Sequence, residues 1–254
     1  MLPDEGPVVE PPLEGQVIPV PEARMTPLRA AVEVVLCSDY VTQLAIAGLL
    51  ARAGIEPLDP QHHLSARFVY LLSGIDAVVL LTLVFALLRL SGDRVRDVFL
   101  RRGKTTQELS VGVILALIAF GIVMVMQLGI HVVAPFLRNV PENPFQSLLG
   151  SPLQIASFVV LVLIAGGVRE ELQRAFLLHR FEQSLGGAGV GLVVTSAAFG
   201  LGHTLQGWDA AVVTGLLGAL WGAVYLWRRN VTANIVSHAL FNIGEVLLSF
   251  AAFK

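Results

Sequence analysis

Two adjacent carboxylates, two imidazoles, a guanidinium and an amide sit in three short segments. They are Glu170-Glu171-Leu172-Gln173-Arg174, Phe199-Gly200-Leu201-Gly202-His203 and His238-Ala239-Leu240-Phe241-Asn242. Glu170 and Arg174 are four apart and share a helix face. Glu171 lies about 100° further round a 3.6-residue turn, so the two acids have different surroundings. One can be held ionised by Arg174 while the other works as a general base. His238 and Asn242 again fall at i and i+4. Together these groups form a set suited to activating water. Each also has a bland account: charges snorkelling at a helix end, a lone histidine on a backbone carbonyl, a His–Asn pair joining two helices.

All three segments lie in stretches apolar enough to span a bilayer, where an ionisable side chain costs roughly 2.5–3.5 kcal/mol and marks a functional site by default. The chain of 254 residues is 55% hydrophobic and 14% charged, against about 25% charge in soluble domains. Its mean hydropathy is +0.73. A polytopic membrane protein follows. The formal charge of -2 and the lack of a basic stripe with interleaved aromatics give no reason to expect nucleic acid. Cys37 is the one cysteine, and Lys104 and Lys254 are the only lysines among 17 basic residues. That bias suggests a GC-rich genome.

Residues 1–27 hold seven of the thirteen prolines, with Asp4, Glu5, Glu10 and Glu14. The stretch reads as a disordered acidic tail and lacks the basic-then-apolar order of a signal peptide. Membrane helices then occupy 28–148, and 149–254 is a helical core that holds the three segments. The fold class is all-α, a polytopic membrane helix bundle of about seven transmembrane helices. The expected spans are 29–53, 67–90, 109–135, 153–179, 188–206, 209–227 and 231–253; Glu33 and Asp39 interrupt the first. Arg94, Arg96, Arg101, Arg102 and Lys104 make Ser91–Gln107 the densest basic connection, which the positive-inside rule makes cytoplasmic. Alternation puts the N-terminus, Arg180 and Arg228-Arg229 on that side. Straight helices with these bounds leave His203 about 10–15 Å away from Glu170 along the membrane normal. A site therefore requires a shifted fifth helix or a break near Gly166-Gly167.

The three segments resemble the motifs of the CPBP family, also called the Abi family, which includes the type II CAAX prenyl endopeptidases and bacterial relatives. Its pattern is a Glu-Glu pair with an Arg, then Phe-x-x-x-His, then His-x-x-x-Asn. The second and third match as Phe199…His203 and His238…Asn242, and the resemblance covers about residues 150–250. The family usually has Glu-Glu-x-x-x-Arg, whereas here only Leu172 and Gln173 precede Arg174. Two registers fit: Glu170-Glu171 are the pair with the Arg one position early, or Glu170 is the second acid and Arg169 replaces the first. The first keeps a Glu-Glu pair.

The resemblance implies an intramembrane endopeptidase cutting a peptide bond near the cytoplasmic face. It implies catalytic Glu170, Glu171, Arg174, His203, His238 and Asn242. Glu170 with His203 would deprotonate water, Glu171 would support them, oriented by Arg174, and His238 with Asn242 would hold the oxyanion. Glu170, His203 and His238 could make a Zn2+ site with one open position; a metal-free site is equally consistent. The implied partners are a peptide or protein substrate, lipidated or not, and the lipid bilayer. The implied location is a multi-pass protein of the bacterial inner (plasma) membrane. The rival readings are a non-catalytic scaffold, of the kind that serves bacteriocin self-immunity, and a proton-relaying transporter. A transporter would favour an inverted repeat, and none is evident. Glu33, Asp39 and Asp76 read as structural acids, His131 and His179 as interfacial, and Glu245 as a candidate partner of His238.

Overall fold

Thr26 accepts the Arg29 N–H at 3.3 Å and Pro27 fills the first helical position, a pre-organised helix start. The computed structural model describes residues 25–251. The tail expected over 1–27 lies outside the described residues as far as position 24, and its last residues already belong to this cap. Helix α1 (Pro27–Leu36) stops at Cys37, Ser38 is extended, and α2 (Asp39–Arg52) departs at a bend of 44°. The first expected span is therefore a broken pair.

Then come α3 (Ala66–Leu90), a short α4 (Val95–Phe99), α5 (Thr105–Val133) and α6 (Pro152–Val162). A π-helical segment (Leu163–Glu170) carries α6 into α7 (Glu171–Ser184) without interruption. Gly186 and Gly187, both at φ +89°, make the turn into α8 (Gly187–Leu201), a conformation that costs glycine little. Helices α9 (Trp208–Arg228) and α10 (Thr232–Ala251) finish the described chain. Among the described residues there are no strands, and the bundle is all-helical.

Five helical units are long and apolar enough to cross a membrane: α3, α5, the 33-residue α6–α7 unit, α9 and α10. The bent α1–α2 pair would be a sixth, and α8 is a shorter apolar helix. This count is compatible with about seven spans, and the chain is an integral membrane protein.

Small residues set the helix contacts. A Cβ on Gly112 of α5 would stand 2.6 Å from Val236 Cβ on α10, and one on Gly200 of α8 would stand 2.5 Å from the Ala211 carbonyl oxygen on α9. Close approach of this kind is how helices associate where lipid supplies no hydrophobic drive.

One end of the bundle gathers the charged connections. Arg29 donates to Ser91 Oγ at 2.9 Å, Arg228 pairs with Glu108 at 2.6 Å, and Arg229 forks onto Glu182 at 2.5 Å. Arg180, fully buried, reaches Glu33 at 2.6 Å and Asp93 at 2.5 Å. The groups expected on the basic side thus meet at one end. Burial pushes the Asp93 carboxyl up, but hydrogen bonds from Arg180 and His179 outweigh it and hold the group below its ordinary value.

Candidate active site

The π segment and the first turn of α7 present Glu170 and Glu171 to α10, and glycine makes the approach possible. A Cβ on Gly167 would lie 2.9 Å from Ala239 Cβ, and one on Gly166 would overlap the Asn242 amide and stand 3.8 Å from His238 Nε2. His238 and Asn242 therefore converge over the bare backbone at Gly166. Single-turn π distortions recur at functional sites, and here the π segment ends on Glu170 and leads directly into Glu171.

Glu171 is 1% exposed and has three donors. Arg174 donates to its Oε1, Asn234 Nδ2 donates to Oε2 at 3.2 Å, and His238 Nδ1 stands 2.8 Å from Oε1. A carboxylate accepts, so the His238 proton resides on Nδ1 and Nε2 is turned the other way. On that side, at 3.7 Å, is Glu170 Oε2. The His238 ring stacks on Trp221, centroids 4.0 Å apart at 16°, and Trp221 Nε1 donates to Ser237 Oγ at 3.0 Å. Asn234 Nδ2 also donates to the Trp221 carbonyl at 2.6 Å. The imidazole is thus fixed in plane, tautomer and direction, much as an acid orients the base in a hydrolase triad.

Glu170 retains some exposure, 15% of its side chain. Its other oxygen accepts from Arg169 Nη2 at 3.0 Å. Arg169 is buried, pairs with Asp39 from α2 and lies 3.1 Å from Asp76 Oδ2 on α3. Gln173 donates to Asp39 at 2.9 Å and to the Cys37 carbonyl at 2.8 Å. The break in the first span thus supplies an acid to the guanidinium that holds Glu170.

Phe199 joins the second segment to the other two. Arg174 sits 4.5 Å over its ring, and the ring stands edge-on to His203 at 4.9 Å and to His238 at 6.1 Å. His203 lies past the end of α8, in the turn before Thr204–Gln206, and donates from Nδ1 to the Phe199 carbonyl at 2.8 Å. Its Nε2 lone pair is left open. The expected depth gap disappears because α7 runs on to Ser184. Counted from the α7–α8 turn, Glu171 and the end of α8 are both about 20 Å along their axes. From Glu182 to Glu171, and from Arg229 to His238, the rise is about 15 Å.

The structure brings Glu170, Glu171, Arg174 and His238 into direct contact and sets Asn242 beside them. His203 reaches them only through Phe199. Arg174 pairs with Glu171, which fits the register keeping Glu170-Glu171 as the pair. Among the described residues no group of three His, Cys, Asp or Glu is placed to hold a metal ion. The implied zinc set Glu170, His203 and His238 is not among groups so placed.

Sequence reasoning gave Gln173, Trp221 and Asn234 no part in the site, and named Arg169 only as a replacement for the first acid in the second register. Asp39 and Asp76, read as structural acids, touch the site through Arg169. Their signal was polarity inside apolar runs. Glu245 is exposed on α10, and His179 and His131 turn to Asp93 and Arg138.

No curated protein and no solved structure matches this chain. The helices that build the site do have a counterpart: residues 151–244 match the family model for type II CAAX prenyl endopeptidase Rce1-like proteins, in agreement with the CPBP resemblance of the three motifs.

Proposed function

We propose that the chain is an intramembrane endopeptidase whose nucleophile is a water activated at Glu170. The observation that carries this reading is the Glu171–His238–Glu170 row. A fully paired acid fixes one imidazole nitrogen, and the other faces a second, partly exposed acid at 3.7 Å.

Water bound against Glu170 loses a proton to that carboxylate as its oxygen attacks the peptide carbonyl. His203 Nε2 is a second acceptor that holds the water in line. The tetrahedral oxyanion forms on the side of Asn242, whose amide donates to it; a preorganised donor of this kind contributes about 3–4 kcal/mol. That proton is shared between Glu170 and His238 Nε2, 3.7 Å apart, with Glu171 balancing the imidazolium. It then passes from Glu170 to the leaving amine, which closes the cycle. Arg174 and Asn234 keep Glu171 ionised and in place, and Arg169 steadies Glu170.

The substrate is a peptide or protein segment, with or without a lipid, that reaches about 15 Å inward from the charged end. We place that end on the cytoplasmic side by its arginines. The test compares protein termini in cells expressing the native chain, Glu170→Gln and Glu171→Gln at equal levels. Termini that vanish in both variants identify the substrate. Identical termini in all three strains would replace the enzyme with a non-catalytic scaffold.

A further inference from the structure

Two cavities open side by side at the charged end, away from the acid–imidazole row. One, of about 690 Å3, is polar and takes in Arg94, Arg101, His179, Glu182 and Arg229. The other, of about 820 Å3, is an apolar trough on α3, walled by Val78, Leu81 and Phe85 and closed above by Val95. Asp93 lines both. Helix α4 is the partition between them, pinned by buried Val98 and Phe99, with Phe99 edge-on to Phe85 at 5.9 Å.

Their dimensions suit one kind of molecule. From Val78 to Arg89 the α3 axis rises about 16 Å, close to half of a hydrocarbon core about 30 Å thick. The trough is therefore as deep as a single leaflet, and the polar cavity begins where headgroups lie. Charge narrows the choice further. Arg229 is taken by Glu182, and Asp93 by Arg180 and His179. Among the described residues, Arg89, Arg94 and Arg101 have no ion pair, and Asp97 is the one nearby acid without one. The surplus is positive, and a guanidinium fork matches phosphate oxygens.

We propose that the two cavities form one binding site for a single anionic phospholipid of this leaflet. Its phosphate sits at Arg94 and Arg101 and one acyl chain lies in the α3 trough. The lipid would brace α4 and the connection that follows it, and it goes beyond the peptidase reading because no residue of the acid–imidazole row takes part.

The test is lipid retention by the full chain, purified in detergent from nanodiscs of equal phosphatidylglycerol and phosphatidylcholine, read by native mass spectrometry. One phosphatidylglycerol should remain bound, favoured about tenfold or more, as expected for two arginines at a membrane surface. Arg94→Gln with Arg101→Gln should abolish that preference; both side chains are exposed and unpaired, so an unchanged lipid-free melting temperature serves as the folding control. Leu81→Trp, which fills the trough, should lower retention with the arginines intact. Equal retention of the two lipids would make this ordinary annular contact and overturn the site. Displacement by inorganic phosphate alone, with Leu81→Trp silent, would overturn it in favour of a free-anion pocket.

Discussion

Arg180 and the two acids of the acid–imidazole row lie on one continuous helical unit, yet their hydrogen bonding differs. Arg180 has five N–H donors and five acceptors: Glu33, Asp93, Gln183, Ser91 and the Leu87 carbonyl. Nothing is left over, and the cluster is an anchor tying α1 and the α3–α4 connection to α7. The row is satisfied at one end only. Glu171 is fully paired, while His238 Nε2 faces Glu170 across 3.7 Å. The Asn242 amide and His203 Nε2 have no hydrogen-bond partner among the described residues. His238 Nε2 and the Asn242 amide converge over Gly166 and leave a place there for a ligand. Buried charge alone does not separate the two regions; the surplus of unused donors and acceptors does.

The sharpest way to break this contrast is Glu170→Gln. It should lower turnover by about 10²–10⁴, as loss of a general base does, and leave the melting temperature in detergent unchanged. Arg180→Leu should do the reverse. Stranding Glu33 and Asp93 costs about 3–5 kcal/mol, typical of a broken buried pair, and should be read as lost yield and an earlier thermal transition. Adjacent glycines divide the same way. Gly167→Ala presses on Ala239 and should cost about 1–3 kcal/mol of stability. Gly166→Ala meets only the movable Asn242 amide, so it should slow turnover and spare the fold. The smallest effect is expected for Trp221→Phe, where losing the bond to Ser237 should cost about 1 kcal/mol by the same melting assay.

Much of this was legible in the chain itself. The apolar runs gave the long helices to within about five residues at each end, because length and hydropathy constrain a span whatever it packs against. The motif residues could be named because ionisable groups are rare at that depth. Arg169 figured only as the residue replacing the first acid in one register, because its partners, Asp39 and Asp76, come from helices far away in sequence. The break at Ser38 showed only as acids interrupting an apolar run. The extent of α7 was misjudged because His179, Arg180 and Glu182 read as an interface, while in the fold Arg180 is buried and Glu182 is paired with Arg229. Those five further residues of helix are what bring Glu171 level with the end of α8.

The π segment has a consequence for how such a chain can change over time. Its i→i+5 ladder holds one residue more than an α-helix would over the same turn. Deleting one residue of Leu163–Gly167 removes the surplus and restores a regular helix at little cost in backbone hydrogen bonds. Because the bulge takes up the extra residue locally, α7 and Glu171 keep their phase with α6, and only residues inside the segment are re-aimed. Loss of Leu172 or Gln173, in regular helix, has no such slack and turns Arg174 about 100° away from Glu171. The bulge is thus the one stretch of this unit that tolerates a change of length its neighbours do not.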